Sequence, residues 1–313
     1  MGQTWAPDST GGYLANDVLS KKIRHRTQPL MRFRQFTREE PGYGKNKGDT
    51  VLFDRISNVA VGGGTISELA KMPEDSVSIS QGTCTVNEYG NSVPWTGKLD
   101  TLSSFSIDNI IGKALRNDMA KVLDSAAGTE FKTATVKAVT SGTDIAPTTT
   151  FETTLATTAN RDAQAADVKN IIDEMKSTYL TPMYDGQNYI CIGSVGFART
   201  LKDDPDWEDA AKYGDPERLF SGEIGRYYGC RFLEETNVLA NKVGVAAAYK
   251  GEAIFFGDDP IVEAVAVPEE LRAKIPTDYG RDKGLAWYAM LGWSLTYDSG
   301  TAGESKIVHF TSV

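Results

Sequence analysis

Two imidazoles occur in the chain, His25 and His309, so a histidine-dependent triad has almost no material to draw on. The best serine candidate lies in GSVG, residues 193 to 196, which resembles a nucleophile elbow. Ile192, however, stands where G-x-S-x-G wants its first glycine, and the stretch reads as a strand-to-helix turn. GGG at 62 to 64 lacks the Lys-Ser/Thr of a phosphate loop and the spacing of a dinucleotide fingerprint, so it too reads as a turn. Asp203, Asp204, Asp206, Glu208 and Asp209 offer oxygens for Ca²⁺, yet no glycine supplies the EF-hand bend and no Glu closes a loop. They suit the first turn of a helix, where negative charge is stabilising. Asp258, Asp259 and Glu263 supply carboxylates for a glycosidase-type pair, but nothing in the sequence sets their separation. Cys84, Cys191 and Cys230 are far apart with no C-x-x-C pair, and are expected to be small buried apolar residues. The expectation is a non-enzymatic chain with no catalytic residue, metal ligand set or cofactor. A soluble hydrolase with an unrecognised carboxylate site is the alternative.

Charge is more informative. KKIRHRTQPLMRFRQFTR, residues 21 to 38, carries seven Lys or Arg and no acid; taking those seven from the net charge of −9 leaves −16 on the rest. Lys21, Lys22, Arg24, Arg26, Arg32, Arg34 and Arg38 thus form a basic arm on an acidic body, suited to DNA, a scaffolding protein or a neighbouring subunit. The plainer reading is that Ile23, Leu30, Phe33 and Phe36 pin an amphipathic segment to a core. The 313 residues, 40% hydrophobic, suffice for about two domains. There is no apolar run of membrane-spanning length, and the amino terminus does not read as a secretory signal. No membrane partner is expected.

The elements that must position any site come in mixed order. After a turn-rich connector, TVLFDRI (50 to 56) reads as a strand, and VGGGTISELAKMP (61 to 73) as a glycine turn and short helix with Thr65 and Glu68 as a capping box. VSISQGTCTVNEYGNSVPWTG, residues 77 to 97, reads as a β-ribbon. Its apolar set changes parity near Gly82, which suggests a bulge, and neither face carries enough apolar area for a core. An isolated ribbon is marginal in water, so it needs a partner surface in this chain or another.

Residues 106 to 128 hold the clearest helix: Ile107, Ile110, Ile111, Leu115, Met119, Val122 and Leu123 recur at helical spacing, with Ser106 suited to the N-cap and Gly128 to the stop. FKTATVKAVT (131 to 140) is strand-like. A second helix carries Val168, Ile171, Ile172 and Met175 on one face. Short buried-type strands follow at 188 to 192 and 230 to 233, and GLAWYAMLGWSLTYDSG reads as an aromatic-rich strand hairpin. This mixture favours an α+β fold over a doubly wound one.

The order of these pieces carries a resemblance. A basic arm, the strand GDTVLFDRI, a polar ribbon ending in VNEYGNSVPWTGKLD and the helix SIDNIIGKALRNDMAKVLD together resemble the major capsid proteins of tailed double-stranded-DNA bacteriophages. The later stretches YICIGSVGFARTLKDDPDW, GEIGRYYGCRFLEETN and IPTDYGRDKGLAWYAMLGWSLTY agree, so that roughly residues 45 to 297 are covered. The resemblance implies the fold shared by tailed-phage and herpesvirus capsid subunits. The arm would be 1 to 40; the peripheral domain 41 to 71, 105 to 160 and 267 to 313, with a spine helix at 106 to 127; the extended loop 72 to 104; and the axial domain 161 to 266. Val77, Ile79, Val86, Tyr89 and Trp95 of the extended loop would then pack on a neighbouring subunit.

It also implies a structural virion protein that forms pentamers and hexamers in an icosahedral shell around packaged DNA, assembled in the host bacterial cytoplasm. The portal would be a partner. A separate scaffolding protein is expected, since about forty residues precede the first core strand. Lys71 and Lys98 flank the ribbon, but no motif identifies a crosslinking partner, and no covalent chemistry is expected. A tail-tube or adhesin subunit is a further alternative; it should be β-rich and lack the spine helix.

Overall fold

A computed structural model describes residues 28–41, 48–56, 64–68, 71–72, 74, 76–153, 161–207, 225–239, 251–298 and 305–312. Lys21, Lys22, Arg24, Arg26 and His25 lie outside the described residues. The strands are β1 (Thr37–Pro41), β2 (Thr50–Ile56), β3 (Ile79–Thr85), β4 (Asn87–Thr96), β5 (Lys137–Gly142), β6 (Pro147–Glu152), β7 (Tyr189–Ser194), β8 (Gly225–Tyr227), β9 (Cys230–Glu235), β10 (Gly251–Phe256), β11 (Ile261–Ala273), β12 (Asp282–Leu295) and β13 (Ile307–Ser312). The helices are α1 (Gly97–Leu102), α2 (Ile107–Lys132), α3 (Ala165–Ser177) and α4 (Val195–Lys202). The fold is α+β, as the mixed order of elements predicts.

Seven strands form one sheet in the order β6-β5-β13-β10-β7-β9-β8. Its central strands β7, β10 and β13 are buried at every position, which is why they read as continuous apolar runs. Successive residues still part to opposite faces. Cys191, Phe255 and Phe310 meet Val168, Ile171, Ile172 and Met175 of α3, together with Phe197 and Leu201 of α4. Ile190, Ile192, Ile254 and Phe256 meet Leu115, Leu123 and Phe131 of α2, and Trp287 and Leu291 of β12. The sheet is therefore the middle layer of the molecule. β5, β6 and β13, from segments assigned by the resemblance to the peripheral domain, share this sheet with β7 and β10, from the segment assigned to the axial domain.

A second sheet has the order β1-β11-β12-β4, and β2 pairs with β3 alone. The aromatic-rich hairpin predicted near 284 to 300 is instead one 14-residue strand, β12, between β11 and β4. Its glycines serve close approach rather than a turn: a Cβ on Gly292 would lie 2.4 Å from the Thr85 carbonyl oxygen.

Helix α2 runs 26 residues, about 39 Å, and passes through Gly128. The predicted stop is wrong because this glycine makes room. A Cβ there would meet Phe33 Cδ2 at 2.7 Å and Val238 Cγ2 at 2.8 Å. Ser106 is the N-cap residue, with its backbone carbonyl accepting the Ile110 amide at 3.4 Å and no side-chain cap bond. Helix α3 matches its predicted stripe, with Val168, Ile171, Ile172 and Met175 all buried. No helix is present at 64–68, while residues 69, 70 and 73 of that predicted helix lie outside the described residues.

The last part of the basic segment is built into the core. Phe33 is fully buried against Phe131, with ring centroids 5.3 Å apart, and Phe36 packs on Phe256. The Phe33 and Arg34 amides donate to Asp124 Oδ1 of α2 at 2.9 and 3.2 Å, Leu30 exchanges hydrogen bonds with Thr236, and β1 lies parallel on β11. Residues 30 to 41 are thus a strap that clips α2, the loop after β9 and β11 together. The plainer reading of the basic segment, an amphipathic stretch pinned to a core, holds at Phe33 and Phe36.

Candidate assembly interface

Polar residues that invited a catalytic reading are committed to structure. Ser194 is fully buried at the N-cap of α4, and its Oγ accepts the amides of Phe197 (3.3 Å) and Glu252 (3.1 Å), so the GSVG stretch is a strand-to-helix turn. Glu263, with no exposed surface, binds Arg34 at 2.9 Å and accepts the Thr37 hydroxyl at 2.6 Å. Asp259 pairs with Lys306 at 3.4 Å, and Asp258 is exposed. Asp204 Oδ1 and Oδ2 accept the Asp206 and Ala165 amides at 2.9 and 2.8 Å. All three cysteines are free and buried; burial pushes the Cys84 thiol up to about 11 and that of Cys191 well above its ordinary value.

Among the described residues several large apolar side chains are exposed. Strands β2 and β3 pair antiparallel without a register shift, from Thr50↔Thr85 to Ile56↔Ile79. No bulge occurs at Gly82, where a Cβ would come 2.4 Å from the Phe53 ring; the glycine makes room for that ring. On one face Val51, Phe53 and Cys84 pack on Ala264 and Met290. The other face points outward, where Leu52 is 54%, Ile56 61% and Ile79 67% exposed, and neighbouring Val77 is 50% exposed. TVLFDRI has apolar residues at both parities, a signal of two-sided burial that points to Leu52 and Ile56. A two-stranded ribbon covers only one of those faces.

The stretch from 77 to 97 is not one self-paired ribbon. It changes partner at Val86: β3 lies on β2, and β4 lies on β12 in a register that sets Tyr89 opposite Ala289 and Trp95 opposite Lys283. Val86 is buried beside Cys84, Tyr89 meets the Trp293 ring edge-on at 5.5 Å, and Trp95 is buried with Leu99 and Ile107. Partial burial also raises the Tyr89 phenol above its ordinary value. These three of the five predicted contact residues pack at home, because β12 offers β4 a complete antiparallel edge. Val77 and Ile79 stay outward.

A second projection is the turn joining β11 to β12. Ile275 is 83% exposed and Tyr279 fully so. Asp282 orders this turn by accepting the Thr277 and Asp278 amides at 3.0 and 2.9 Å and binding Lys274 at 2.8 Å, partners that hold its carboxyl well below the usual range. The three described arginines of the basic segment divide. Arg34 is clamped by Glu263 and Glu269, whereas Arg38 is 66% exposed with a loose 3.9 Å approach to Asp259; Arg32 is half-buried.

No protein-family model matches the sequence, and no curated protein matches it. Solved structures do. The capsid of Helicobacter pylori bacteriophage KHP30 aligns with a TM-score of 0.71 at 12% identity, covering 95% of each chain. The capsid of cyanophage Pam1 gives 0.68 at 14% identity over 95% of this chain and 96% of that one. The capsid of a native GTA particle gives 0.64 at 16% identity over 99% of both. The chain has the fold of tailed-phage capsid subunits. The agreement extends over nearly the whole of each chain, and the resemblance read from element order is matched in three dimensions. Within that fold, the β2–β3 pair and the β11–β12 turn are two places among the described residues where large apolar side chains are exposed.

Proposed function

We propose that the protein is a structural subunit that self-assembles, through pentamers and hexamers, into an icosahedral shell enclosing double-stranded DNA. The observation that carries this reading is the full-length agreement of fold with subunits whose structures are capsids. The outward apolar face of β2–β3 supports it, because a second copy of the chain would remove Leu52, Ile56 and Ile79 from water. Subunits of one sequence close into rings and shells through such heterologous contacts. A separate scaffolding protein and a portal would assist assembly in the bacterial cytoplasm, and the finished protein would reside in the virion. Val77 and Ile79 would face a neighbour. Lys21, Lys22, Arg24 and Arg26, with Arg38, would meet DNA, scaffold or a neighbouring subunit. The 26-residue α2 favours this reading over a tail-tube or adhesin subunit, and the commitment of Ser194 and Glu263 to structural bonds favours it over a hydrolase.

Electron microscopy of the full chain, expressed with and without the scaffold of its phage, tests the reading. Closed shells are expected. Single particles at high concentration in both preparations would refute it, and tubes would favour the tail-tube alternative.

A further inference from the structure

The last turn of α2 meets the seven-stranded sheet through a buried group of charges. Lys132, in that turn, binds Glu252 of β10 at 2.8 Å. Lys137 of β5 donates to the Lys132 carbonyl at 2.7 Å and lies 3.4 Å from Nδ1 of His309 on β13. His309 Nε2 faces Glu252 Oε1 at 3.7 Å. Asp298, which follows β12, accepts the Thr135 amide at 2.7 Å and its hydroxyl at 2.8 Å in the same corner. His309, Lys137 and Glu252 are all buried.

An ammonium has donors only, so at Lys137 the imidazole nitrogen Nδ1 must accept, and the single proton of a neutral His309 sits on Nε2, toward Glu252. Imidazolium has a proton on both nitrogens. Its Nδ1–H would point at the Lys137 ammonium, turning a hydrogen bond into a donor–donor contact between two cations with Lys132 close by. Glu252 and Asp298, the two carboxylates that act on Lys137, cannot together balance three positive charges. We propose that this group is a proton-operated catch: protonation of His309 displaces the Lys137 ammonium, breaks its bond to the Lys132 carbonyl and frees the end of α2 from the sheet.

Burial, the largest cause, and the neighbouring lysines hold the His309 imidazole below its ordinary value, against the pull of Glu252. The sign follows. The unfolded chain takes up this proton first, so the contribution of His309 to stability is whole above the ordinary value of 6.5 and is lost as pH falls toward the folded value. Burial moves the Glu130 carboxyl the other way, upward, so acid favours the fold there and separates the two effects.

The test uses the full-length subunit carrying His25→Gln, which leaves His309 as the sole imidazole for an NMR titration, with amide exchange measured across residues 129–137 and 307–311 over the same pH range. His309 is expected to titrate below 6.5, with exchange in both segments accelerating at least tenfold through that titration. Lys137→Met should raise the His309 midpoint, since Nδ1 is then free to take its proton, and His309→Gln should flatten the exchange profile. Exchange that stays level while His309 titrates, no titration above the pH of global unfolding, or an unmoved midpoint in Lys137→Met would each overturn the proposal. If neither variant folds, the unsubstituted Lys137 and His309 protein decides by whether its titration and its exchange coincide.

Discussion

The seven-stranded sheet and the β2–β3 hairpin solve the same problem with opposite completeness. In the sheet, Ile254 and Phe255 point to opposite faces, and each finds a layer of this same chain waiting: α2 with β12 on one side, α3 with α4 on the other. In the hairpin, Val51 and Leu52 also point to opposite faces, but only Val51 is covered. A strand whose two faces are both covered at home is a matter of folding. One left half covered converts apolar area into association. The difference lies in the number of layers, since both strands are apolar on both sides.

The comparison breaks most visibly at the buried extreme. Phe255→Ala, which empties the contact among Phe197, Phe232 and Phe310, is expected to cost about 3–5 kcal/mol and leave little soluble chain. Arg161→Met should be of similar size. It strands Asp167, whose carboxylate takes two guanidinium hydrogen bonds at 2.7 and 2.5 Å in a pair almost wholly buried, and removing one partner of such a pair costs about 3–5 kcal/mol. Denaturant titration measures both. Changes of under about 1 kcal/mol would mean that the sheet is far less tightly determined than its burial implies.

Gly128→Ala sharpens the comparison at the strap. The added methyl overpacks Phe33 and Val238 at a cost of about 1–3 kcal/mol, offset by about 1 kcal/mol of helix propensity, so a net loss of about 1 kcal/mol is expected by the same titration. A gain in stability would show that the strap yields easily. At the exposed extreme, Ile56→Ser with Ile79→Ser should change the stability of the isolated subunit by no more than about 0.5 kcal/mol while lowering the yield of shells in microscopy. Unfolding of the double variant would place that face in the subunit's own core.

The sequence carried periodicity well and partnership poorly. The stripe of α3 and the run Tyr189–Ser194 were legible because their partners lie on regular, repeated faces. Gly128 was misread because a helix-stopping glycine and a space-making one look alike until Phe33, nearly a hundred residues earlier, is set beside it. β12 looked like a hairpin for the same reason, its Gly292 answering to Thr85 rather than to a turn. Near Gly82 the change of parity was real, but it reflects the two faces of one strand, Ile79 outward and Cys84 inward; the chain leaves β2 for β12 only at Val86. Leu52 and Ile56 were overlooked beside the longer ribbon, although a doubly apolar strand was there to read.

The position of β13 bears on how the chain is made. It follows every other described strand in sequence, yet lies between β5 and β10 in the middle of its sheet. While residues 307 to 312 are still inside the ribosome, the β6-β5 pair and the β10-β7-β9-β8 group have no backbone bridge between them. The middle layer of the molecule therefore closes only when synthesis has passed β13. A product stalled before that strand keeps two open sheet edges and a divided core, a target for proteolysis rather than a building block.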